Sequence, residues 1–182
     1  MTRLAAIDPT KATGSTKQLF DGVQAKLGAV PNMVRVMANS PVMLRGYLGL
    51  NGALAAGSLG APLREQIALA VAEANGCDYC LAAHTTLGTG AGLSESEIAA
   101  ARRGTAADPK HAAALRLAVA LVEGRGRGAA AELSRVRAAG YTDGAIAEIV
   151  AEVALNVLTN YLNILAQTEI DFPRAKPLAV AA

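Results

Sequence analysis

Apolar positions along this chain recur every three or four residues, the spacing of helices that bury one face. Ser15 is placed to cap a first helix through Phe20, Val23 and Leu27, stopped at Gly28. Pro31 opens the short run "PNMVRVMAN", and Ser40-Pro41 reads as a cap followed by a first-turn proline ahead of "PVMLRGYLGLNGALAAG". Pro62 starts "PLREQIALAVAEA", which Asn75-Gly76 interrupts; the helix after that break ends near Gly88. Ser94 and Glu97 form a capping-box pattern before "IAAARR", and Asp108-Pro109 repeats the cap-and-proline device before "KHAAALRLAVALVEG". A helix around "AAELSRVRAAG" stops at Gly140.

The longest element runs from about Asp143 to Gln167, with Ile146, Ile149, Val150, Val153 and Val157 as its apolar stripe. Glu148, Glu152, Asn156, Asn160 and Asn163 make a second, polar stripe on the same helix. A solvated face is the plain reading. A pocket wall or subunit contact is the other, because asparagine is an indifferent helix former kept for its hydrogen bonds. The tail "DFPRAKPLAVAA", with two prolines, reads as extended or frayed.

No segment has the alternation of a strand, so the pattern predicts an all-α fold. Composition sharpens this: hydrophobic residues make up 52% of the chain but aromatics only 3%, with no tryptophan. The core must therefore be aliphatic, with alanine allowing close helix packing. A chain of 182 residues suits one domain, with a core over 15–168 and residues 169–182 as the tail. Net charge is +2 with both signs scattered, so a nucleic-acid partner is not expected. The N-terminus lacks a signal-peptide pattern and no uncharged run approaches membrane-spanning length, so a cytoplasmic protein with no membrane partner is expected.

Both cysteines and one of the two histidines fall within "NGCDYCLAAH", residues 75–84. On a helix, Cys80 has Cys77 one turn before it and His84 one turn after. The break at Asn75-Gly76 puts the pair in a first turn, where the dipole and free N–H groups favour an anion. That matters because only about 3% of an ordinary thiol is ionised at neutral pH, and the thiolate is the reactive species. His84 supplies a base for the thiol proton. Glu65, on an apolar flank with Ala68, Leu69 and Ala72, is the candidate to orient it; Glu73, on the side of Gln66, is expected to face water. Dithiol redox chemistry, a metal site completed by Glu65 or His111, and plain buried packing all remain open on these residues. His111 itself reads as a surface helix residue without a role.

The run "REQIALAVAEANGCDYCLAAH" resembles the core motif of the AhpD-like alkyl hydroperoxidases of the carboxymuconolactone decarboxylase superfamily. Their pattern is a glutamate, eleven residues, CxxC, three residues and a histidine, matched here by Glu65, Cys77, Cys80 and His84. "PNMVRVMANSP" and "TEIDFP" extend the likeness over most of the chain. The resemblance implies an all-α fold, assembled as homo-trimers or hexamers, and a peroxidase reducing organic hydroperoxides. It also implies that Cys80 attacks the peroxide, that Cys77 resolves it as a disulfide, and that His84 and Glu65 relay the proton. No cofactor or metal is implied. An external thiol reductant is, such as a lipoyl-bearing protein. Tyr79 stands where some of these peroxidases carry a second histidine inside the CxxC; helix packing is its ordinary reading. The alternatives are a lactone decarboxylase, as in the superfamily's other branch, and a non-enzymatic metal-binding or redox-sensing module.

Overall fold

A computed structural model describes residues 2–127 and 129–178. Among them are a short 3-10 turn, Pro9–Lys11, and nine α-helices: α1 (Gly14–Leu27), α2 (Asn32–Met37), α3 (Pro41–Ala55), α4 (Ala61–Asn75), α5 (Asp78–Gly90), α6 (Glu95–Arg102), α7 (Pro109–Glu123), α8 (Ala130–Ala138) and α9 (Asp143–Ala166). The fold is all-α.

The helix boundaries follow local chemistry. Ser40 Oγ accepts from Met43 N, Asp108 Oδ1 from Lys110 N, and Ser94 with Glu97 completes the capping box. Several boundaries differ from expectation by one or two residues. Thr13, not Ser15, precedes the first helix, and α5 continues to Gly90 instead of ending at Gly88. Helix α4 ends where Gly76 takes φ +66°, a left-handed conformation that suits glycine. Gly76 N then donates to Glu73 O and Cys77 N to Ala72 O, a Schellman closure that delivers Cys77 directly to the start of α5.

Helix α4 is the hub, packed against α5, α6, α7 and α9. Ile67 through Ala72 are buried without interruption. Alternating alanines with larger aliphatics lets neighbours approach from every side, as expected of a helix apolar all round. A second cluster, built on Phe20, Val23, Val34, Met37 and Leu44, joins α1, α2 and α3.

Helix α9 turns its polar stripe inward. Glu152, Asn156, Asn160 and Asn163 are each at most 3% exposed, while Val150, Leu158, Tyr161 and Leu165 are exposed. The solvated-face reading therefore fails for four of the five stripe residues; only Glu148 serves the surface, accepting from Ser58 N and Oγ. The helix is long and apolar enough to cross a membrane, yet half of that stretch is buried in the bundle. Arg64 reaches across from α4 to Glu152 at 2.9 Å and also donates to Asn51 Oδ1. Asn75 Nδ2 donates to Asn160 Oδ1.

The described part of the tail is extended and tied down. Asp171 accepts from Asn32 N at the start of α2, and Arg102 donates to Lys176 O.

Candidate functional site

The turn between α4 and α5 carries both sulfurs. Cys77 is the N-cap of α5, its Sγ accepting from Cys80 N, and Cys77 and Cys80 form a disulfide. Both cysteines are buried. Their position at a helix N-terminus surrounds them with positive partial charge from the first-turn N–H groups.

One turn further along α5, His84 Nδ1 lies 2.8 Å from Glu65 Oε2 of α4. Each of these side chains is 21% exposed, so this pair is the wetter part of an otherwise buried arrangement. A carboxylate on one imidazole nitrogen fixes the ring's orientation and leaves Nε2 to exchange a proton. The four residues singled out in the sequence, Glu65, Cys77, Cys80 and His84, are thus brought onto adjoining turns of α4 and α5. Glu73 does not face water alone; it is half-buried and ion-paired with Arg102 at 2.7 Å. Gln66 is buried and meets His111 Nδ1 at 2.9 Å, and His111 is partly buried, not a plain surface residue. Among the described residues, no group of three or more His, Cys, Asp and Glu side chains is arranged to hold a metal ion.

Tyr79, between the cysteines, points away from them into the tail. Its OH donates to Asp171 Oδ1 at 2.8 Å and accepts from Met33 N at 3.1 Å, and its ring meets Phe172 edge-on. Burial, reinforced by Asp171, pushes its phenol well above the ordinary tyrosine value. Tyr79 therefore stays protonated and fastens α5 to α2 and the tail. Tyr47 of α3 lies near Glu65 and Glu152 and is pushed up to about 12, by desolvation first and those carboxylates second.

Two contacts at the site escape sequence reading. Asn163 Nδ2 of α9 lies 3.4 Å from Cys80 Sγ, and Asp171 of the tail anchors Tyr79. The asparagine spacing on α9 signals a special face, but nothing local identifies a sulfur as its partner. A cleft of about 350 Å³ opens beside the disulfide turn, bounded by Gly76, Asp78 and Leu81 on one side and Ile170, Arg174 and Lys176 on the other.

Residues 41–124, which include this whole α4–α5 unit, match the carboxymuconolactone decarboxylase family. That stretch is similar to the carboxymuconolactone decarboxylase family, and the fold of the described residues is AhpD-like. Two similar solved structures of that fold are peroxidase-related proteins described as uncharacterized. The one from Ralstonia eutropha JMP134, an alkylhydroperoxidase AhpD core, has 24% identity over 93% of this chain and 92% of its own, with a TM-score of 0.83. The one from Silicibacter sp. TM1040 has 24% identity over 93% and 94%, with a TM-score of 0.78. The debrominase Bmp8, solved in complex with 2,3,4-tribromopyrrole as a C82A variant, has 22% identity over 94% and 92%, with a TM-score of 0.80. No curated protein matches the sequence. The AhpD-like fold thus occurs in structures described as peroxidase-related and in one described as a debrominase.

Proposed function

We propose that this AhpD-like protein is a thiol-dependent peroxidase that reduces organic hydroperoxides through a Cys77–Cys80 dithiol–disulfide cycle. The observation that carries the reading is the disulfide at the start of α5, one turn from the His84–Glu65 pair. In the first step the Cys80 thiolate attacks the terminal oxygen of the hydroperoxide. The O–O bond breaks, Cys80 becomes a sulfenic acid, and the alkoxide leaves as the alcohol once protonated. Cys77 then attacks the sulfenic sulfur, expelling water and forming the disulfide. An external dithiol, such as the dihydrolipoyl group of a partner protein, returns two electrons and two protons and is itself oxidised to a disulfide.

His84 takes the Cys80 proton before attack and gives it to the departing alkoxide, with Glu65 holding the ring. The N-terminus of α5 favours the thiolate over the thiol. Dependence on thiol reductant fits the cytoplasm. The exposed apolar residues on α9, Tyr161 and Leu165 foremost, support a homo-oligomer.

Intact mass of the fully reduced protein, before and after one equivalent of an organic hydroperoxide, tests this directly. Wild type is expected to lose about two mass units as the disulfide forms, and Cys77→Ser to gain about sixteen as Cys80 sulfenic acid. No change in either protein within minutes would refute the reading, and retained turnover in Cys80→Ser would remove Cys80 from it.

A further inference from the structure

Asn163 is 3% exposed, and among the described residues its side chain makes one hydrogen bond, from Nδ2 to Cys80 Sγ at 3.4 Å. Its Oδ1 is buried with no hydrogen-bond partner among the described residues. A disulfide sulfur carries no proton and only accepts, so the amide must present its NH₂ to it. In the oxidised state this is a poor arrangement for a buried carboxamide, since one end meets a weak acceptor and the other meets nothing. Packing alone would be served as well by leucine.

The contact changes character when the disulfide is reduced. Cys80 Sγ then becomes a thiolate, and the same N–H becomes a charge-assisted donor, roughly twice as strong as a neutral one. An interaction stronger in the ionised state favours that state. We propose that Asn163 is a positioning residue that stabilises the Cys80 thiolate, both as the attacking group and as the group released when a reductant opens the disulfide. In that second step the reductant thiolate bonds to Cys77 Sγ, the S–S bond breaks, and its electron pair stays on Cys80 beneath the Asn163 amide. A better-stabilised thiolate is the better leaving group, so Asn163 also directs the incoming thiol to Cys77. Both neighbours of Cys77, Gly76 and Asp78, line the cleft described above, against one neighbour of Cys80, Leu81.

The elements packed against α5 carry other titratable or charged groups: Asp78 and His84 on α5 itself, Glu65, Glu73 and Arg64 on α4, Arg102 on α6, Glu152 on α9 and Asp171 in the tail. A comparison at constant surroundings is therefore needed. The inference rests on the cycle proposed above for its meaning, but its test reads thiolate chemistry and uses no peroxide, so the two fail separately.

The experiment is the rate of iodoacetamide alkylation of reduced protein as a function of pH. A Cys77→Ser background leaves Cys80 as the only thiol. The parent is compared with Asn163→Leu, which removes the donor, and Asn163→Asp, which keeps the shape but faces the sulfur with a carboxylate. The alkylation midpoint is expected to rise by about one unit in the leucine variant and further in the aspartate variant. Thermal unfolding is followed in parallel, because a purely structural role lowers stability and leaves the midpoint in place. Unchanged midpoints overturn the proposal, and if the leucine variant does not fold, the isosteric aspartate variant decides alone.

Discussion

His84 Nδ1 sits 2.8 Å from Glu65 Oε2, although nineteen positions and a helix break separate the two residues. The Schellman turn at Gly76 sets α4 and α5 against each other, so that a residue early in α4 meets one midway along α5. Glu73, two turns later on α4, is committed instead to Arg102. Glu65→Gln is therefore expected to slow Cys80 sulfenic acid formation by about a hundredfold or more, the scale of a general acid–base contribution. Glu73→Gln is expected to leave that rate nearly unchanged. Stopped-flow or quenched-mass measurement on both variants checks this, and equal effects would remove Glu65 from the proton path.

The Arg64–Glu152 pair joins α4 to α9 with the carboxylate side chain only 4% exposed. Removing one member strands the other in the core. Arg64→Met or Glu152→Leu alone is expected to destabilise the protein by about 3–5 kcal/mol, and the double replacement by much less. Denaturant unfolding of the four proteins of that cycle measures the difference.

Tyr79 binds its proton more tightly when folded than when unfolded, where the phenol has its ordinary value of 10.0. The folded state then holds more protons above pH 10, so stability contributed by this group is complete below that pH and falls as pH rises beyond it. Tyr79→Phe is expected to flatten the alkaline limb of a stability–pH curve. The variant also leaves Met33 N without its acceptor, which lowers stability at neutral pH by about 1–3 kcal/mol. A limb as steep as wild type would show that other groups govern it.

Val150, Leu158, Tyr161 and Leu165 share one outward face of α9. Tyr161→Asp with Leu165→Asp is expected to convert the proposed homo-oligomer to monomers by light scattering. Intramolecular packing is left alone, because Tyr161 and Leu165 are 61% and 62% exposed. An unchanged mass would place the subunit contact elsewhere.

Much of the fold was legible because its signals are local. Asp108-Pro109, Ser94 with Glu97, and Gly76 each terminate or start a helix through bonds to residues at most a few positions away. The spacing of Cys77, Cys80 and His84 likewise fixed their shared helix, and the length of α4 put Glu65 within reach. The first helix shows the limit of such reading: Ser15 has the right side chain, yet α1 begins earlier, after Thr13.

The sequence by itself determined the helices, the aliphatic core and the disposition of the dithiol at a helix start, since each depends on neighbours within about a turn. Tertiary structure alone decided that the polar stripe of α9 points inward beside Ile146, Ile149 and Val153. Periodicity separates the two stripes but does not show that both are buried, the apolar one against apolar surface and the polar one against polar partners on other helices. Arg64, Asn75 and Cys80 supply those partners from other helices, so Glu152, Asn160 and Asn163 go inside and Tyr161 and Leu165 remain out. The same non-local pairing put Asp171 on Tyr79, because a buried polar group is placed by whatever satisfies it, wherever that lies in the chain.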